Sequence, residues 1–109
     1  MAARRYFKES TLTRLRETPA ADALALLAIH IKADPSYRPI KSDQSRRWHV
    51  RTTQGEFEIL TTGCQWYDMR GRCGGGGAID LAMHVCGLSF VNAVNKLIRE
   101  LSQNRSDYS

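Results

Sequence analysis

Four consecutive glycines, Gly74–Gly77, lie between a stretch with two arginines and the start of a helical pattern. Arg70 and Arg72 precede the glycines, and Ala78-Ile79-Asp80-Leu81 follows them. Backbone amides at a helix N-terminus favour anions, and glycine lets a ligand approach the backbone. The stretch matches neither GxGxxG nor a P-loop, because no GK[ST] follows it. Two interpretations therefore stay open: an anion-binding turn, and a flexible turn that only permits positive φ.

Cysteine and histidine side chains are the candidates for metal binding or disulfide formation. The sequence has three cysteines, and an odd number argues against a disulfide framework. Metal ligands usually come in closely spaced pairs, but the sequence has neither a CxxC nor an HxxxH motif. A zinc site would need scattered side chains, such as those of His49, Cys64, Cys73 and His84. We expect no bound metal and no cofactor.

The Asp80–His84 pair and the Cys73 thiol are weak candidates for catalysis. Asp80 and His84 are four residues apart, so a helix would place them on one face, but a surface pair or an aspartate at the helix dipole is commoner. Asp68 is interpreted as an ion-pair partner of Arg70. Cys73 lies beside two arginines and a helix N-terminus, a setting that favours a thiolate, but the sequence shows no base partner. We therefore expect no enzyme.

Size and charge set the class of protein. The chain has 109 residues and a formal net charge of +5, which fits one domain with a modest core and a polyanionic partner. The longest apolar stretch, Ala23–Ile31, is too short to span a bilayer. The first residues, Met1–Tyr6, lack the apolar core of a secretory signal. These features predict a cytoplasmic protein with no membrane partner.

Helical patterns flank the middle of the sequence. They predict a short helix with Leu12 and Leu15, a helix over residues 20–33, a helix over 77–86 and a last helix over about 90–102. Asp34-Pro35 ends the second helix, Gly87 ends the third, and Ser89 caps the fourth. The predicted organisation is a basic arm with a short helix over 1–19, one domain over 20–102 and a disordered tail over 103–109.

The middle of the sequence alternates polar and apolar residues, which predicts strands. The predicted segments are Arg47–Thr53 and Glu56–Thr62, joined by a two-residue turn at Gln54-Gly55, and a third strand at Gln65–Met69. In this register Val50 faces Ile59, and Arg51 faces Glu58 as a cross-strand pair. One face carries the core residues Trp48, Val50, Thr52, Phe57 and Ile59, and the other carries Arg47, His49, Arg51, Glu58 and Leu60.

The residues that follow Gly71 form a longer pattern. Cys73-Gly-Gly-Gly-Gly-Ala-Ile-Asp-Leu leads to Gly87-Leu88-Ser89-Phe90, with Ala93, Val94 and Leu97 after it. This pattern resembles the zinc-binding domain of bacterial DNA primases, most strongly over residues 73–97 and more loosely from Arg47. The resemblance implies an α+β fold with a small antiparallel sheet of three to four strands, packed against N-terminal and C-terminal helices.

The sequence departs from that family at the metal. The family holds zinc with a Cys-x-x-His pair and a Cys-x-x-Cys pair. Here Lys41–Trp48 contains no cysteine, and only Cys73 stands where the second pair would fall. The sequence is therefore identified with a zinc-less member, of the type found on plasmids and other mobile elements, and Cys73 is interpreted as a relic. The core residues expected to replace the metal are Trp48, Phe57, Ile59 and Trp66.

The resemblance also implies a function, because in that family the sheet face and nearby basic residues contact single-stranded template DNA. Such binding needs cations and flat side chains on which bases stack. Tyr67, on the arginine side of the third strand, is the expected stacking residue. The predicted DNA-binding residues are Lys41, Arg46, Arg47, Arg51, Tyr67, Arg70, Arg72, Gly74, Gly75 and Gly76. The expected role is largely sequence-independent binding in replication or transfer of a plasmid or other mobile element.

A second function stays open at this point. An accessory subunit would dock a primase, polymerase or helicase without contacting DNA. This hypothesis predicts an exposed apolar patch, formed by Leu60, Leu88 or Tyr6-Phe7. The basic composition suits DNA and RNA equally.

Overall fold

A computed structural model describes residues 7–38 and 44–106, and the side chains of the last helix up to Ser102. Its elements are α1 (Glu9–Arg16), α2 (Ala20–Leu27), β1 (His30–Ala33), β2 (Arg46–Thr52), β3 (Gly55–Thr62), β4 (Gln65–Asp68), β5 (Cys73–Gly76), α3 (Ala78–Cys86) and α4 (Phe90–Ser106). The predicted α+β class is confirmed. Within the described residues the sheet is antiparallel, with five strands in the order β1-β2-β3-β4-β5, and not the predicted three or four.

The first unpredicted strand is β1. The helix predicted over residues 20–33 ends at Leu27, and Ala28 already has an extended backbone, with φ −80° and ψ 144°. Ile31 therefore lies opposite Val50 on β2 and not on a helical stripe. β-branched residues favour strands, and here pairing along β2 satisfies the backbone groups that a longer helix would have used.

The predicted hairpin of β2 and β3 is present, but its register is shifted by two residues. Val50 lies opposite Phe57 and not Ile59, and the turn is at Thr53-Gln54 and not at Gln54-Gly55. Because strand side chains alternate with a period of two, this shift leaves every residue on its predicted face.

Thr52 gives a physical reason for that register. Its hydroxyl donates to the Val85 carbonyl of α3 at 2.5 Å and accepts from the Gln54 N–H at 3.1 Å. The end of β2 is thereby attached to a helix, and the chain turns immediately after it. The turn preferences of residues 53–55 cannot predict this register, because the Thr52–Val85 contact joins residues that are far apart in sequence.

The second unpredicted strand is formed by the glycines themselves. Cys73–Gly76 pairs with β4 as an edge strand, so the predicted glycine turn is wrong, and Gly77 alone turns the chain into α3 at φ 88°. Glycine is needed because β5 lies very close to β4. A Cβ on Gly74 would stand 2.6 Å from the Trp66 carbonyl oxygen, and one on Gly75 would stand 3.1 Å from the Trp66 ring.

The core lies between the helices and one face of the sheet. Its largest fully buried side chains are Leu12, Leu24, Ile59, Leu81, Val85, Val94 and Leu97. The aromatic and aliphatic residues expected in the core, Trp48, Phe57, Ile59 and Trp66, all pack in or against it. Leu12 and Leu15 of α1 belong to the same cluster, so the short first helix is part of the packed unit.

The last helix is longer than expected. The Asn92 N–H donates to the Ser89 hydroxyl at 3.3 Å, consistent with the predicted cap. α4 continues to Ser106, so residues 103–106, expected in a disordered tail, extend the helix. No single helix of the described residues has the length and apolar content to cross a membrane. Only α3 and the first part of α4 taken together have that length and apolar content, and a 107° bend separates them.

Gly74→Ala is expected to lower the free energy of unfolding by about 1–3 kcal/mol, because the carbonyl oxygen of Trp66 cannot retreat from the new methyl group without disturbing strand pairing. Gly76→Ala is the matched control: nothing lies within 4 Å of its Cβ, and the expected change is below about 0.5 kcal/mol. Urea denaturation measures both. Equal effects at the two positions would contradict the close approach of β5 to β4.

Candidate functional site

The face of the sheet away from the core, called the open face below, carries mostly polar and exposed side chains. They include His30, Lys32, Arg47, His49, Arg51, Glu56, Glu58, Leu60, Thr62, Gln65 and Tyr67. One row crosses four strands, because Arg47 lies opposite Leu60, Leu60 opposite Tyr67, and Tyr67 opposite Gly74. Tyr67 is 43% exposed, whereas Trp66 is 7% exposed on the core face. Tyr67 therefore points to the open face and Trp66 to the core, as predicted.

Arg47 is on the open face but is already engaged. Its Nε donates to Asp34 Oδ2 at 2.7 Å, and its guanidinium carbon lies 5.5 Å from the centre of the Tyr37 ring. Asp34 also accepts from the hydroxyl and the N–H of Ser36, at 2.7 and 2.9 Å, and His49 Nε2 lies 3.6 Å from it. The hydrogen bonds from Ser36, followed by that from Arg47, hold the pKa of Asp34 well below its usual range.

Arg51 and Arg70 present more of their charge to solvent. Arg51 is exposed opposite Glu56, so the predicted Arg51–Glu58 pair is wrong. Glu58 instead lies 3.3 Å from the Arg70 guanidinium, whose side chain is 57% exposed. An exposed pair of this kind contributes about 0–1 kcal/mol, so a polyanion can compete with Glu58 for Arg70.

Two of the other predicted cations, Arg46 and Arg72, lie elsewhere in the described part of the chain. Arg72 is exposed in the turn between β4 and β5, in a left-handed conformation at φ 56°. Arg46 pairs with Thr61, so alternation places it on the helix side, and its Nη1 donates to the Ser45 carbonyl at 2.9 Å. Lys41 lies outside the described residues. The structure thus places Arg47, Arg51, Arg70 and Tyr67 on the same face of the sheet.

The backbone of β5 offers donors at the edge of the sheet. The Gly77 N–H donates to the Cys64 carbonyl at 2.8 Å, so these two residues form a hydrogen-bonded pair. Such pairs alternate along an antiparallel ladder, which turns the Gly75 N–H towards β4 and those of Gly74 and Gly76 outwards. Of the three glycines predicted to contact phosphate, Gly75 therefore lacks an outward amide, and none lies at the helix N-terminus.

A second cluster lies on the core side, where β4, β5 and α3 meet. His84 Nε2 is 2.6 Å from Asp68 Oδ2, and Cys73 Sγ is 3.9 Å from Nδ1 and 3.8 Å from Nε2 of the same ring. Two interpretations are corrected here: Asp68 pairs with His84 and not with the Arg70 side chain, and Cys73 does have a base nearby. Sequence spacing carries no signal for this group, because only the packing of α3 on the sheet assembles it.

Asp68 is the buried member of this cluster, at 3% exposure. Its Oδ1 accepts the N–H groups of Arg70 and Gly71 at 3.0 and 2.9 Å, and its Oδ2 faces His84. Burial alone would raise the pKa of Asp68, but the hydrogen bond from Gly71 and the interaction with His84 outweigh it, and the pKa lies below its usual value. Asp68 is therefore a carboxylate at neutral pH.

Two aromatic rings hold the imidazole of His84 in place. Trp66 stacks on it with ring centroids 5.0 Å apart and planes at 28°. Phe57 meets it edge-on, with centroids 5.8 Å apart. The orientation of His84 therefore depends on both a carboxylate and aromatic packing.

Among the described residues, Asp68, Cys73 and His84 form the one group of metal-binding side chains whose ligand atoms lie within 4.8 Å of one another. Oxygen and nitrogen ligands of one tetrahedral zinc stand about 3.3 Å apart. The 2.6 Å between Asp68 and His84 is a hydrogen-bond distance, so the group does not fit a preformed zinc site. His49 and Cys64, the other donors considered, are not part of it.

Comparisons with protein-family models, curated proteins and solved structures find no match to this chain. The resemblance to primase zinc-binding domains stays a prediction from residues 73–97.

Asp34→Asn tests the electrostatics of the open face. A carboxylate whose pKa is lower in the folded chain stabilises the fold above its unfolded pKa of about 3.9, and this contribution is lost as pH falls towards the folded pKa. From about pH 5 to about pH 3, the free energy of unfolding should therefore fall more steeply in the parent chain than in the variant. Urea denaturation at several pH values measures both curves, and parallel curves would contradict the assignment.

Proposed function

We propose that this chain binds single-stranded DNA on its open face, with little dependence on base sequence. The observation that carries the proposal is the exposed ring of Tyr67, which shares a face of the sheet with Arg47, Arg51 and Arg70. Bases of any sequence stack on aromatic rings, while cations beside the ring neutralise phosphates. A shallow depression of about 250 Å³, lined by Leu60, Gln65 and Tyr67 among others, adjoins the ring.

The row across the sheet suggests how a strand would lie. Arg47 is two strands from Tyr67, a distance of roughly 10 Å at the usual strand spacing. Gly74 is one strand further, at the sheet edge, with its amide turned outwards. A nucleotide stacked on Tyr67 would thus have a cation on one side and a backbone donor on the other, and both favour phosphate.

The charge of the open face predicts modest affinity. Four cations, Lys32, Arg47, Arg51 and Arg70, oppose three carboxylates, Asp34, Glu56 and Glu58. Each neutralised phosphate of a single strand contributes about −0.7 to the slope of log affinity against log salt. With two to four phosphates neutralised, we expect a slope of roughly −1.4 to −2.8.

The primase resemblance supports a biological setting for this binding. The setting is replication or transfer of a plasmid or other mobile element, in the cytoplasm, beside a replicative polymerase, primase or helicase. In this proposal the chain is a binding protein and not an enzyme.

The alternative, an accessory subunit without DNA binding, has less support. The apolar patch that it predicts does not form at the expected side chains: Leu60 and Leu88 are half-buried, and Phe7 packs edge-on against Phe90 at 6.4 Å. Tyr6 lies outside the described residues. Within residues 7–38 and 44–102, the large apolar side chains that are most exposed are Ile29, Tyr67 and Met69.

Tyr67→Ala is expected to weaken binding of a fluorescent oligothymidylate by about 1–3 kcal/mol, or roughly 5- to 150-fold, because it removes the stacking ring. Tyr67→Phe retains the ring and is expected to keep most of the affinity. Fluorescence anisotropy at low salt measures the dissociation constants. Unchanged binding by the alanine variant would exclude Tyr67 as the stacking residue.

The double variant Arg47→Ala/Arg51→Ala is expected to weaken binding and to make the salt slope shallower by about 1.4, because two phosphate contacts are lost. The double variant Arg14→Ala/Arg99→Ala removes the same charge from exposed positions on α1 and α4, and it should bind almost like the parent chain. Anisotropy titrations at two salt concentrations separate the two. Equal losses would show that net charge, and not the open face, determines binding.

A further inference from the structure

The three free cysteines differ in what surrounds their thiols. Cys86 is buried, and burial raises the pKa of its thiol. Cys64 is half-buried, and its Sγ donates to the Glu17 carbonyl at 3.4 Å. Cys73 is exposed and has both nitrogens of His84 within 4 Å of its sulfur. Only Cys73 combines access from solvent with a nearby base.

The hydrogen bond to Asp68 determines which nitrogen of His84 is basic. A carboxylate can only accept, so Nε2, at 2.6 Å from Asp68 Oδ2, carries the proton. Nδ1 then has a free lone pair. Cys73 Sγ lies 3.9 Å from Nδ1 and 3.8 Å from Nε2, so the sulfur is beside the imidazole ring and not on the axis of that lone pair. A rotation of the exposed Cys73 side chain towards Nδ1 would give the thiol proton an acceptor, since the hydrogen bonds of reactive groups are often poorly aligned in the free protein.

Hydrogen bonds and ring contacts hold the Asp68 carboxylate and the His84 imidazole in place. Asp68 is anchored by two backbone N–H groups of its own turn, so its other oxygen remains available for His84. Trp66 and Phe57 restrict the imidazole from two sides. The other charged groups of the β4–β5 turn and of α3, which are Arg70, Arg72 and Asp80, are exposed.

We propose that Cys73 is a thiol-modification site that exchanges with low-molecular-weight disulfides such as glutathione disulfide. His84 Nδ1 accepts the thiol proton while the Cys73 sulfur attacks one sulfur of the disulfide. A new S–S bond forms as the old one breaks, and the departing thiolate takes the proton from His84. The Cys73 sulfur is oxidised and the leaving sulfur is reduced, so no further oxidant is needed. A free thiol reverses the exchange.

The site lies on the core side of the sheet, so this inference does not depend on DNA binding. Cys73 is directly opposite Asp68 in the ladder, and both alternate with the open-face residue Tyr67. His84 acts on the substrate by transferring a proton, and Asp68 acts as a positioning residue for His84.

The first test uses the unmodified chain and the chromogenic disulfide DTNB, with a chelator present and the labelled cysteine located by mass spectrometry. The reference is a synthetic peptide of residues 70–76, which has the same thiol and both arginines but no imidazole. In the folded chain Cys73 should react first, at about ten times the peptide rate or more. A rate at or below that of the peptide would overturn the proposal, because an exposed thiol without a neighbouring imidazole reacts at that rate.

The second test removes the base. His84→Gln retains an amide donor for Asp68 but has no basic nitrogen, and it should reduce the Cys73 rate to that of the peptide, about tenfold or more. Cys64→Ser is the matched control and should leave the fast reaction unchanged. Faster labelling of Cys64 or Cys86 would reveal a loosened fold in any variant. A correctly folded His84→Gln chain that reacts at the parent rate would refute the role of His84.

The third test addresses positioning. In Asp68→Asn the amide nitrogen donates to Nε2, which moves the imidazole proton to Nδ1 and removes the acceptor beside Cys73. The reaction should slow about tenfold near neutral pH, and the deficit should shrink at high pH, where hydroxide can replace His84 as the base. A deficit that is constant with pH would indicate a purely structural role and overturn the assignment.

Discussion

The buried carboxylate of Asp68 is the constraint on which much of the structure depends. A charge at 3% exposure must be compensated, and its partners come from two sources: the amides of the turn that follows and His84 of α3. The first interaction starts the return of the chain as β5, and the second attaches α3 to the end of the sheet. The path of the glycine strand and the position of the helix are therefore coupled through one side chain.

Strand alternation separates two kinds of chemistry on the same strands. Tyr67 points to the open face, while its neighbours Trp66 and Asp68 point to the core side, where they hold His84. The proposed stacking surface and the thiol–imidazole pair thus lie back to back without sharing side chains.

The glycine run is an edge strand and not the turn that the sequence pattern indicated. Because these residues have no side chains, β5 can approach Trp66 closely. Two of its amides, those of Gly74 and Gly76, still face outwards. A contact with phosphate therefore stays compatible with the fold, but as a sheet-edge contact, and the arginines and Tyr67 carry the main argument for DNA binding.

By itself the sequence determined the α+β class, the two faces of the hairpin, the direction of Tyr67 and the stop at Gly87, because alternation, helical spacing and glycine at positive φ are local properties. Only the tertiary structure decided the rest. β1 and β5 exist because neighbouring strands complete their hydrogen bonds, Arg47 is held by Asp34 from another strand end, and Cys73 meets His84 because α3 packs on the sheet. Each of these depends on residues that are distant in sequence, and local preference contains no information about such pairs.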